Sequence, residues 1–88
     1  MYDKNKERIE QLKREIMEGN TKILASDDEL QSLKNELETL RKNGDDVKDA
    51  IRVSTLKRKI AQMEESIMDQ KIYVKEKEKE LEALLGKS

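Results

Sequence analysis

The segment Arg41-Lys42-Asn43-Gly44-Asp45-Asp46 decides how this chain folds, because a helix stop and a helix start follow one another within it. Arg41 and Lys42 place cations where a helix ends, opposite the negative end of its dipole, and Asn43 or Gly44 can adopt the left-handed conformation that caps a C-terminus. Asp45 or Asp46 can then accept from the free amides of a following helix. A chain reversal near Gly44 divides the 88 residues into an arm at about 3–42, a turn at 43–45 and an arm at about 46–86. Each arm would be roughly 60 Å long at 1.5 Å per residue.

Outward from this segment, apolar residues recur every seven positions. Ile9, Ile16, Ile23, Leu30 and Leu37 form one series before it, with Leu12, Leu33 and Leu40 three residues behind their neighbours. Val53, Ile60, Ile67, Val74 and Leu81 form another after it, with Leu56, Met63 and Leu84 following in the same way. This is the a and d pattern of a coiled-coil seam. The phase slips by two residues between the series, so the seams belong to two helices. The expected fold is all-α, a single-domain antiparallel helical hairpin that dimerises into a four-helix bundle. A break at residues 19–26 would give three helices instead, since Glu18-Gly19-Asn20-Thr21 can stop a helix and Ser26-Asp27-Asp28-Glu29 matches a capping box. The unslipped spacing of Ile16, Ile23 and Leu30 favours one continuous helix.

Antiparallel partners share a constant sum of residue numbers, and two sums fit the seams. A sum of 86 sets Leu33 beside Val53 and Leu30 beside Leu56; a sum of 93 sets Leu40 beside Val53 and Leu12 beside Leu81, with roughly 12 residues joining the last layer. Gln70 and Lys77 fall at d positions and weaken the seam in either case. The acids Asp27, Asp28, Glu29, Glu36 and Glu38 are expected to face Arg52, Lys57, Arg58 and Lys59 across the hairpin. Such exposed pairs, each worth about 0.2–1 kcal/mol, select orientation more than they stabilise it.

Composition removes several function classes. The chain has no His, Cys, Trp, Phe or Pro and only Tyr2 and Tyr73 as aromatics. A His base, a Cys nucleophile and a zinc site of His and Cys ligands are therefore excluded. With 19 basic against 20 acidic side chains, and few rings for stacking, nucleic acid is not the partner expected. Charges interrupt every apolar run, so neither a membrane span nor a signal peptide is expected, and the chain reads as soluble and cytoplasmic.

What remains is a set of apolar residues outside the seams. Met17 and Leu24 share one face of the first helix; Ala61, Met68 and Ile72 form a stripe on the second, at about the same axial level in a hairpin. These five are the candidate face for self-association, giving a homodimer, or for a protein partner. Val47 and Ile51 are expected to fold back on the turn.

Asp45, Asp46 and Asp49 are the candidate contacts at the tip. Asp45-Asp46-Val47-Lys48-Asp49 resembles the DDxxD segment of prenyl diphosphate synthases, which implies magnesium held on a diphosphate. That match spans five residues, helix capping accounts for the same aspartates, and no metal or cofactor is expected. Gly44-Asp45 and Asp49 at the end of a long hairpin also resemble the tip of Gre-type transcription factors, which implies insertion into RNA polymerase beside a catalytic magnesium. The function expected from the whole pattern is non-enzymatic: an adaptor, assembly factor or inhibitor that binds a partner protein through helix surfaces. The Gre-like regulator is the alternative, and a nucleic-acid-binding bundle the third reading.

Overall fold

The computed structural model describes residues 4–43 and 47–86, which form two helices of equal length, α1 (Lys4–Asn43) and α2 (Val47–Gly86). The particle measures 69 × 16 × 14 Å, the length of one arm rather than two laid end to end. Arg8 bonds Glu80 and Arg52 bonds Glu36, so the two ends of the chain lie together and the helices run antiparallel. Gly44, Asp45 and Asp46, on which the expected cap and turn fall, lie outside the described residues. Asn43, expected in the turn, is instead the last residue of α1.

Helix formation follows from composition: no proline interrupts either arm, and Glu, Lys, Leu, Gln and Arg dominate both. The β-branched polar residues that oppose this preference are accommodated locally. Thr21, Thr39 and Thr55 each donate a hydroxyl hydrogen bond of 3.0 Å to the carbonyl four residues earlier, at Met17, Asn35 and Ile51. Gln11 donates to Glu15, Gln31 to Asn35, and Lys42 pairs with Glu38 one turn apart.

Helix α1 passes through residues 19–26 without a break, which removes the three-helix alternative. The reason lies across the hairpin. Gly19 is buried, and a methyl group placed on it would sit 2.5 Å from Val74 Cγ2. Glycine fits there because Val74 of the second helix fills the space a side chain would need, and packing offsets the roughly 1 kcal/mol that glycine costs a helix. Ser26, half-buried two turns later, is a seam residue inside α1 rather than the cap of a new helix.

The Gly19–Val74 contact also selects the register, since these numbers add to 93. Two further levels agree: Leu33 shares a groove with Lys59 and Met63, and Leu30 shares one with Ile67. A sum of 86 would have put Leu33 and Leu30 beside Val53 and Leu56. The 12 residues between Leu40 and Val53 are no obstacle, because 41–43 and 47–52 are helical.

This register buries Leu12, Leu56, Ile60, Ile67 and Val74 and leaves the other seam residues half-buried. Two helices cannot enclose a seam on all sides, so coverage is partial along the whole length. Charge pairing departs from expectation in one respect. Glu36 meets Arg52 at 3.0 Å, but Asp27 and Asp28 stand level with Glu64 and Glu65 instead of the basic stretch, because the register lies seven residues from the one that would have matched them.

Gly19→Ala should lower stability by about 1 kcal/mol in urea unfolding, overpacking of about 1–3 kcal/mol outweighing the gain in helix propensity. In a Val74→Ala background the same change should stabilise instead. Loss of that sign reversal would mean the two helices do not meet at Gly19.

Candidate interaction face

Every a and d position of both seams has a flank on either side, and the two flanks of this hairpin differ in chemistry. One flank is closed by its own charges. Arg8 donates to Glu80 through Nε at 3.1 Å and Nη2 at 2.8 Å, a bidentate pair, and lies 4.0 Å from Glu15 through Nη1. Lys77 occupies a seam position yet extends to this edge, where its Nζ lies 3.5 Å from Glu15 Oε2 and 5.2 Å from the centroid of the Tyr73 ring. Glu15 Oε2 is buried and takes this ion pair without a hydrogen bond; Gln70 Oε1, also buried, has no hydrogen-bond partner among the described residues. The Arg52–Glu36 pair lies on the same flank.

The hydrogen bond from Arg8 holds the Glu80 carboxyl below its ordinary pKa, burial opposing and the charges of Arg8 and Lys77 assisting. The same hydrogen bond, which Glu80 accepts, raises the Arg8 guanidinium above its ordinary value. A carboxylate with a depressed folded pKa contributes stability above its unfolded pKa, and loses it as the pH falls through the folded value. The melting temperatures of the parent and Glu80→Gln chains should therefore differ at neutral pH and converge once the pH is well below the ordinary glutamate value of about 4.3. A difference that persists undiminished at pH 2 would assign the effect to packing.

The opposite flank carries the five apolar residues singled out from the sequence. Met68 lines a groove with Asp27, Leu30 and Ile67, and the next groove along is lined by Asn20, Ile23, Lys71 and Val74. Met17 and Leu24 each stand one turn before Asn20 and Asp27, so they border the same two grooves. In the observed register Leu24 is level with residue 69 and Thr21 with Ile72, which places Met17, Leu24, Met68 and Ile72 along one stretch of the hairpin's outside as a single patch; Ala61 lies about four turns from Met17, toward the tip. Met17 is 69% exposed, Leu24 67%, Met68 61% and Ile72 51%, although residues of these types are usually among the best buried in a chain. Ala61 is exposed as well.

The seam behind the patch is not wholly apolar. Between residues 16 and 26 the inner positions of α1 include Gly19 and Ser26, and those of α2 at the same level include Gln70 and Lys77. Small and polar side chains thus share the inside of the hairpin with Ile16, Ile23, Ile67 and Val74 at the level where methionine, leucine and isoleucine occupy the outside.

The tip is less completely described. Asp45 and Asp46 lie outside the described residues; Asp49 is half-buried in the first turn of α2, where its charge favours the positive end of the helix dipole. Ile51 is 67% exposed and does not fold beneath the turn as expected, because its side chain stands away from the seam; the Val47 side chain is outside the described set. Among the described residues no three His, Cys, Asp or Glu gather in a way that could hold a metal ion, and no helix is long and apolar enough to cross a membrane. Sequence reasoning missed the Arg8, Glu15, Tyr73, Lys77 and Glu80 cluster. Its signal was the position of Arg8, Glu15, Tyr73 and Glu80 immediately before seam residues, legible only once the register is known. Comparison with family models, curated proteins and solved structures finds no match to this chain.

Leu12→Ala should cost about 2–5 kcal/mol in unfolding measured at dilute concentration, whereas Met17→Ala and Leu24→Ala should stay within about 0.5 kcal/mol. Equal costs at all three would place Met17 and Leu24 in the core of the hairpin rather than on its outside.

Proposed function

We propose that this chain is a non-enzymatic protein-interaction module, an adaptor, assembly factor or inhibitor that works by docking an apolar helix face against another protein surface. The observation that carries this reading is the patch of Met17, Leu24, Met68 and Ile72, exposed on a flank that one ion pair, Lys34–Glu64 at 3.8 Å, crosses nearer the tip, while ion pairs close the other flank near both of its ends. Clustered apolar side chains of this size on a small chain mark a contact surface, and Met adapts readily to a partner's contour. The 69 Å length presents that surface midway along a rigid rod, with room for contacts on both sides of it.

The test is a comparison of affinity captures from the source cells with three baits: the parent chain, Met68→Glu, and the combined Asp45→Ala, Asp46→Ala and Asp49→Ala chain. The proposal predicts that Met68→Glu releases the bound protein while helicity by circular dichroism is unchanged and the tip variant still binds. Retention by Met68→Glu with loss in the tip variant would transfer the function to the acidic tip.

A further inference from the structure

The flank that carries the apolar patch is charged unequally at its two ends. Toward the tip lie Asp27 and Asp28, level with Glu64 and Glu65; toward the open end lie Lys13 and Arg14, the latter level with Lys79, and Lys75 one turn nearer the patch, four bases against the three acids Glu10, Glu78 and Glu82 of the same stretch. Met17, Leu24, Met68 and Ile72 separate the two groups. Glu64 pairs with Lys34 at 3.8 Å on this flank, but Lys13, Arg14, Asp27, Asp28, Glu65 and Lys79 form no ion pair among the described residues, whereas the closed flank pairs Arg8, Glu15, Glu36, Arg52, Lys77 and Glu80 within the hairpin. An apolar centre with an acidic end and a basic end is complementary to itself when turned end for end.

We propose that the occupant of this face is a second copy of the chain, its tip pointing the opposite way, with a two-fold axis crossing the hairpin near Thr21 and Ile72. This rests on the reading of the patch as a docking face and names what docks there. Along α1 the pairing sets Met17 against the second copy's Leu24, Lys13 against its Asp27 and Arg14 against its Asp28. Along α2 it sets Ile72 against its own counterpart and Glu65 against the second copy's Lys79. The residues that meet themselves on the axis of α1 are uncharged: Asn20, and Thr21, whose hydroxyl donates to the Met17 carbonyl at 3.0 Å. Lys71 comes near its own counterpart, and Asp27 in the same groove moderates that repulsion.

The competing bundle, with both tips at one end, stacks α1 of each copy on α2 of the other at equal height. It would set Arg14 against Lys79, Asp28 against Glu65 and Glu10 against Glu82, three meetings of like charge. Repulsion of this kind selects orientation even where single pairs add little affinity. The face from Glu10 to Gln31 is about 32 Å long and two helices, about 20 Å, wide, so roughly 600 Å² per copy would be covered, the lower end for specific complexes. A reversible dimer is therefore expected.

Sedimentation equilibrium on the purified chain, from micromolar to several hundred micromolar, tests this directly. The parent chain should pass from monomer to dimer across that range. Arg14→Asp and Asp28→Arg should each weaken self-association about tenfold or more with unchanged helicity, and an equimolar mixture of the two should associate again as a mixed dimer. Tighter association of Arg14→Asp would overturn the orientation, because tips at one end would turn its meeting with Lys79 attractive. A strict monomer at every concentration would overturn the proposal outright. If that monomer still captured another protein through Met68, the interaction reading would stand without it.

Discussion

The approach of α2 to Gly19 sets the geometry on which the rest of this molecule depends. A helix interior tolerates glycine at a cost, and here the cost is met because Val74 occupies the space a side chain would need. That contact fixes which residues lie level along the hairpin. The pairing within the seam and the placement of charge on the two flanks follow from it, since a shift by one heptad would keep apolar residues in contact while rearranging everything outside the seam.

The inside and outside of the hairpin are linked by the same constraint. Gly19 and Ser26, with Gln70 and Lys77 at the same level, leave the apolar filling of the middle of the seam to Ile16, Ile23, Ile67 and Val74. Further apolar volume at that level sits outside, as Met17, Leu24, Met68 and Ile72. A two-helix unit whose buried apolar side chains, among the described residues, are Leu12, Leu56, Ile60, Ile67 and Val74 has limited means of stability by itself, and covering the outer patch would add to it. Stability and interaction are in this sense one property of the sequence.

Much of the fold was legible beforehand, and the reasons are specific. Seven-residue spacing of Ile9 through Leu37 and Val53 through Leu81 names the helices, and the two-residue slip between them demands a reversal; both are local patterns that tertiary contacts do not alter. Gly19-Asn20 and Ser26 to Glu29 read as helix punctuation because that chemistry is also local, and the helix runs through them because a contact 55 positions away in sequence overrides it. The register could not be chosen, since heptads match in steps of seven and the charge pattern favoured the step that the Gly19 contact does not. The candidate patch survived this uncertainty because its members lie midway along both arms; its acidic and basic ends did not, and emerge only when Asp27 and Asp28 are placed level with Glu64 and Glu65.

The register is therefore the claim to test most directly, and the absence of cysteine makes disulfide trapping clean. In a Ser26→Cys, Ile67→Cys chain the two thiols lie level in the observed register, while in Ser26→Cys, Ile60→Cys they are one heptad, about 10 Å, apart along the axis, beyond the reach of a disulfide. Mild oxidation at dilute concentration should close the first pair within a single chain and leave the second reduced. Closure of the second pair and not the first would contradict the Gly19–Val74 register and the interaction face built on it.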